Sequence, residues 1–144
     1  MKALFDTSVL VAALIERHPF HPRAYPWLRK AWDGDLDFHV ACHSLAETFS
    51  TLTTFPIRPR ISAHTASSIL DQSVLNKATL VALTADDYRD VIARQTRLGL
   101  AGGSIYDALL AWAAAKAGVD LLVTFNEGDF LRVWPEGREK IRVP

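Results

Sequence analysis

Four short apolar runs punctuate this chain, at residues 3–5, 36–40, 79–83 and 119–124, and each gives way to a stretch whose apolar residues recur at helical spacing. That alternation restricts the fold more than any other property. Parallel strands need long crossovers, usually helical, and the crossovers cover the sheet on its faces. The fourth run is almost wholly apolar, as a strand covered on both faces should be. The pattern predicts an α/β/α sandwich with a mostly parallel central sheet of about four to five strands, with residues 141–143 as a closing edge strand. At 144 residues the chain is the size of one domain spanning 1–144, large enough to bury about two-thirds of its unfolded surface.

The first run sets the frame for the rest. Ala3, Leu4 and Phe5 lead straight into Asp6, Thr7 and Ser8, and a second apolar stretch follows from Val9 to Ile15. Asp, Thr and Ser all favour helix N-caps, so a strand ends at Asp6 and a helix begins just beyond it. A carboxylate then stands at the carboxyl end of the first strand, the edge where open α/β sheets bind ligands. Further on, Trp27, Leu28, Ala31 and Trp32 share a helical face that Gly34 ends. Leu36, Phe38 and Val40 alternate as in a second strand, and Leu45, Phe49, Leu52 and Phe55 form a helical stripe. Pro56 and Pro59 force a loop, Ser62 and Thr84 cap helices, Gly99 and Gly118 stop them, and residues 126–130 read as a short turn.

Three further acids occupy comparable places. Glu47 lies three residues after Ser44, Asp107 three after Ser104, and Asp129 one turn after the fourth strand. Each has an ordinary explanation. Ser44-Leu45-Ala46-Glu47 fits the capping box and Ser104-Ile105-Tyr106-Asp107 its aspartate version; acids there are worth about 0.3–1 kcal/mol. Thr84-Ala85-Asp86-Asp87 fits as well, so the pattern leaves Asp86 and Asp87 open. The alternative is convergence, because helices that follow parallel strands start at the same sheet edge. Clustered carboxylates raise one another's pKa, and four together call for a cation. All-oxygen donors suit Mg²⁺ or Mn²⁺ rather than zinc, and such an ion polarises a phosphoryl oxygen and acidifies the attacking water. The chemistry implied is phosphodiester hydrolysis.

Totals narrow the setting. Sixteen basic and sixteen acidic residues balance, so no global charge points to a nucleic acid or a membrane surface. Cys42 is alone, which rules out an internal disulfide and suggests a reducing compartment. The N-terminal stretch lacks signal-peptide character, and no apolar run approaches the ~18 residues of a membrane span. A soluble cytoplasmic chain is expected. Local cations are Arg58 and Arg60 on the proline-stiffened loop, suited to phosphate, and a tail with Arg132, Arg138, Lys140 and Arg142. His18 and His21 read as surface residues, Cys42 as a core cysteine, and Trp27 and Trp32 as core or subunit contact. No His or Lys is placed to act as a separate base.

Taken in order, Leu4-Phe5-Asp6-Thr7-Ser8-Val9-Leu10, Ser44-Leu45-Ala46-Glu47, Gly102 to Ala111 and Val123-Thr124-Phe125-Asn126-Glu127-Gly128-Asp129-Phe130 resemble the acidic motifs of PIN-domain ribonucleases. The likeness covers nearly the whole chain and is strongest to VapC-type toxins of bacterial toxin–antitoxin pairs. It implies an Mg²⁺- or Mn²⁺-dependent endoribonuclease, homodimeric and held inactive by a cognate antitoxin. Asp6, Glu47, Asp107 and Asp129 would be catalytic metal-binding residues, with Thr7, Thr124 and Asn126 as polar neighbours; Asn126 stands where many PIN domains carry another acid. The resemblance selects Asp107 over Asp86 and Asp87. Other functions considered are a housekeeping RNA-processing PIN nuclease, a non-catalytic metal- or RNA-binding module, and a receiver domain. The last wants an acidic pair after the first strand and a late lysine, where this chain has Thr7-Ser8 and Thr124-Phe125-Asn126.

Overall fold

Lys2–Phe5 forms strand β1, whose Ala3, Leu4 and Phe5 have no exposed surface. The computed structural model describes residues 1–144 and places β1 at the centre of a five-stranded sheet. With β2 (Asp37–Ala41), β3 (Thr79–Val81), β4 (Leu121–Val123) and β5 (Ile141–Arg142), the strand order is β3-β2-β1-β4-β5. Every neighbouring pair is parallel, with Leu4 opposite His39 on one side and Leu122 on the other. The edge strand expected at 141–143 is β5.

Side chains alternate across β1, and each face has its own core. Ala3 and Phe5 join one apolar cluster and Leu4 the other. The first face is covered by α1 (Thr7–Leu14), α2 (His21–Trp32), α3 (Cys42–Thr54) and α4 (Ala63–Leu70), which runs on through a wider turn at Asp71–Leu75. The second is covered by α5 (Ala85–Leu98), α6 (Ser104–Ala117) and α7 (Glu127–Val133), followed by a tighter turn at Pro135–Lys140. This is the three-layer sandwich that the alternation predicts. Trp27 and Trp32 pack against the first core as expected, and Trp32 Nε1 donates to the Ser73 carbonyl at 2.9 Å. No helix is long and apolar enough to cross a membrane.

Several details differ from the sequence reading. α3 starts at Cys42 rather than near Ser44, because the backbone turns helical directly from the last residue of β2, Ala41. Cys42 is therefore exposed on the first turn and not a core residue. β2 does not alternate between core and solvent, since Phe38, His39, Val40 and Ala41 are all buried. The short turn at 126–130 is the start of a seven-residue helix. Gly99 and Gly118 do stop their helices, both in the left-handed conformation, at φ 65° and 62°, which other residues adopt at a cost.

Candidate active site

Asp6 is the first residue beyond β1. Its amide donates to the Val123 carbonyl at 3.0 Å, which extends the β1–β4 ladder and sets Asp6 against the end of β4. It occupies the N-cap position of α1 in extended conformation, yet its side chain closes no cap hydrogen bond. Instead Oδ2 accepts from Ser8 Oγ at 2.6 Å and from Thr124 Oγ1 at 2.8 Å. Those two hydroxyls are themselves held: Ser8 Oγ accepts from the Phe125 amide at 3.1 Å and Thr124 Oγ1 from the Asn126 amide at 2.9 Å. With amides occupying their acceptor side, both hydroxyl protons are committed to the carboxylate. Asp6 is 3% exposed. Burial raises its pKa, while the two hydroxyls and the nearby Thr7 and Ser8 amides oppose the rise without cancelling it.

Glu47 lies one turn into α3, half-buried, with Oε1 inaccessible and lacking a hydrogen-bond partner. His43, four residues earlier on the same helix, brings Nε2 to 3.2 Å, placed for charge attraction when protonated but not aligned as a hydrogen bond. The His43 ring stacks on Tyr106 at 5.6 Å with 3° between the planes. Burial raises the Glu47 pKa; His43 lowers it and Asp6 raises it further. Thr7 Oγ1 is close enough to oppose the shift, yet it too is buried without a well-formed hydrogen bond. Asp107, in the first turn of α6, is pushed up to about 6, first by burial and then by the charges of Asp6, Asp129 and Glu47, with Arg132 opposing.

Asp6, Thr7, Glu47, Asp107 and Asn126 line one cleft of about 380 Å³. Thr124 lies fully buried behind it. Asp129 is at the same edge but does not line the cleft: its side chain is exposed and 3.9 Å from Arg132, and it reaches the site through its charge on Asp107. Arg58 and Arg60 are exposed and do not line the cleft either; Arg17 Nη1 donates to the Arg58 carbonyl at 3.1 Å, tying their loop to the one after α1.

The capping explanations separate cleanly. Neither Ser44 nor Ser104 caps its helix, and Ser44 Oγ is buried and unpartnered inside α3. The box that does form is Thr84–Asp87, where each side chain bonds the other residue's amide at 2.8 and 3.2 Å. Asp87 also binds Lys116 and Trp112, and those bonds hold its carboxyl well below the usual range. Asp86 pairs with Arg89 on the surface. Both are thereby accounted for outside the cleft.

Sequence reasoning passed over several residues that the fold brings here. Ser8 was recognisable as an N-cap type but not as a donor to Asp6. His43 sits at i, i+4 from Glu47, a spacing that shows only once α3 is known to begin at Cys42. His18, read as surface, lines the cleft together with Phe20, Phe55 and Phe125. His21 is partly buried, with Nδ1 3.0 Å from the Ala12 carbonyl.

An acidic cleft at the carboxyl edge of a parallel sheet in this order defines a class. Residues 3–133 match the family model of the PIN domain, and the chain belongs to that family. Among curated proteins it is similar to ribonuclease VapC27 of Mycobacterium tuberculosis, 31% identical over 81% of this chain and 79% of that protein. Ribonuclease VapC40 of the same species is 32% identical, covering 81% of each. Solved structures with the same fold include VapBC2 from Rickettsia felis bound to a promoter DNA fragment, with TM-score 0.70 and 20% identity over 100% of this chain and 99% of that one. The sarcin-ricin-loop-cleaving toxin VapC20 of M. tuberculosis also has TM-score 0.70, at 20% identity over 89% and 92%.

Proposed function

We propose that the protein is a divalent-cation-dependent endoribonuclease, the toxin of a toxin–antitoxin pair. One observation carries the reading: Asp6, Glu47 and Asp107 come from three separate elements into one cleft, all with raised pKa values, and no lysine or arginine stands within ion-pair range of any of them. Such an arrangement is unfavourable unless something positive enters it.

The donors fit Mg²⁺ or Mn²⁺. They are all oxygens, and Glu47 Oε1 and Thr7 Oγ1 are buried without partners. No three acidic, His or Cys side chains are gathered tightly enough to grip an ion directly. A hydrated ion resolves this, because Mg²⁺ usually keeps several waters and takes only one or two carboxylates. When bound, the ion supplies Lewis-acid polarisation of a phosphate and a more acidic water. The chain's own part is orientation: the Ser8 and Thr124 hydroxyls hold Asp6, Glu47 and Asp107 offer the remaining oxygens, and Asp129 adds negative charge from the rim. Arg58 and Arg60, exposed outside the cleft, would supply the cationic contacts to the RNA backbone.

The relatives named VapC are ribonucleases, and the VapBC2 structure carries a toxin with its partner. In their likeness this chain acts in the cytoplasm as a homodimer neutralised by a small cognate antitoxin. The decisive experiment incubates purified protein with total RNA in Mg²⁺, Mn²⁺ or EDTA and maps the cut ends. Discrete ends that vanish in EDTA and with Asp107→Asn are expected; cleavage that persists in EDTA would sink the proposal.

A further inference from the structure

The acids occupy only part of the cleft. Four aromatic rings contribute to its lining beside smaller residues such as Val11 and Thr51: His18 and Phe20 from the connection after α1, Phe55 at the end of α3, and Phe125 just after β4. Phe20 and Phe125 have ring centroids 4.8 Å apart at 32°, and His18 and Phe55 are 5.6 Å apart at 30°. His18 bridges the two pairs, 5.9 Å from Phe20. Phe55 and Phe125 pack partly against the first core and Phe20 is 43% exposed, so the group turns the remainder of its ring surface to the cleft. Burial and the neighbouring His21 lower the His18 pKa, so at neutral pH it presents a flat, uncharged ring.

The wall is braced from behind. The Arg23 guanidinium lies 5.4 Å from the Phe20 centroid and 5.2 Å from that of Phe125, and donates to the Pro144 carbonyl at 3.1 and 2.7 Å. The Arg17 side chain donates to the Arg58 carbonyl and so joins the loop bearing His18 to the loop after Phe55, which carries the exposed Arg58 and Arg60. Cations that meet a phosphate backbone beside aromatic faces that stack on bases are the pairing used to bind single-stranded nucleic acid. The cleft's 380 Å³ falls within the ~300–1,000 Å³ of pockets that enclose ligand-sized groups.

We propose that His18, Phe20, Phe55 and Phe125 form a base-stacking subsite that takes one unpaired nucleobase beside the phosphate held at the acidic residues. The inference rests on the nuclease reading and deepens it. A base must leave its helix to enter, so the protein selects single-stranded or extruded nucleotides over continuous duplex.

The test uses the full chain and a short single-stranded RNA carrying one 2-aminopurine, whose fluorescence falls on stacking. A second RNA has an abasic residue at that position, and a third is a blunt duplex. Binding is followed with Ca²⁺ in place of Mg²⁺ to suppress cutting, and in parallel with EDTA. Quenching is expected with the parent protein, with affinity for the single strand about 5- to 150-fold above that for the abasic RNA. Phe20→Ala, at an exposed position, should lose the quenching and a similar factor, and Phe20→Trp should restore both. If the intact, abasic and duplex RNAs bind equally and without quenching, the aromatic wall serves loop packing or a protein partner and the subsite is refuted, while the nuclease proposal survives. Absence of RNA binding under every condition would refute both.

Discussion

Asp6 looks like a helix cap in the sequence and is used as something else. Its cap bond is absent, and its Oδ2 is held by two hydroxyls that are each held by an amide. Asp6→Asn should therefore leave the fold intact, melt no lower than the parent without a cation, and reduce RNA cleavage by about 10²-fold or more. Thermal melts and a gel assay on one preparation check both halves. Thr124→Val removes one hydroxyl from behind the carboxylate, and if Asp6 binds the proposed cation, cleavage is expected to fall about 10- to 100-fold, the usual effect of losing an outer partner of a metal ligand. Asp107 gives a pH signature. Its folded pKa of about 6 lies above the usual 3.8, so the folded state holds the proton more tightly and this group's stabilisation is complete only below about pH 4. Cation-free protein should lose melting temperature as pH rises through about 6. Asp107→Asn should flatten that slope; an unchanged slope would show that the carboxyl is not the source.

Ser44-x-x-Glu47, Thr84-x-x-Asp87 and Ser104-x-x-Asp107 are near-identical signals, and the fold gives them different fates. Only Thr84–Asp87 closes, because only there does the chain leave the strand through a loop that presents the hydroxyl at the cap. After β2 the helix starts at once, which carries Ser44 into the helix and turns Glu47 toward the cleft. Thr84→Ala should cost about 1 kcal/mol in chemical denaturation. Ser44→Ala should change stability little, because its buried hydroxyl has no partner to lose. Equal losses at both sites would contradict the assignment of caps. The elements themselves were legible: alternating apolar runs and helical stripes located all five strands, and glycine located two helix ends. Start positions were less so. A two-residue shift of α3 hides the His43–Glu47 pair, and the aromatic cleft wall is assembled from residues 18, 20, 55 and 125, which no local period connects.

At the scale of the whole molecule, net charge is zero, so on the proposed function RNA would be drawn by local cations rather than by an overall field. The Arg58→Ala, Arg60→Ala double variant should weaken binding of all single strands alike. It should also reduce the slope of log affinity against log salt by roughly 1.4, about 0.7 for each phosphate no longer neutralised. An unaltered slope would remove that loop from the RNA path. Parallel topology gathers Asp6, Glu47 and Asp129, which follow β1, β2 and β4 at their carboxyl ends, while Asp107 is brought in by α6, which follows α5 and leads into β4. The hydrogen bond between Asp6 and Thr124 spans 118 positions of sequence, and this has a bearing on synthesis. Residues 6, 47 and 107 leave the ribosome before the strand that precedes Thr124, so a nascent chain carries its acids before it has the hydroxyl and the β4 ladder that orient the first of them. The Asp6 carboxylate therefore gains its full hydrogen-bonded setting only once β4 has docked beside β1.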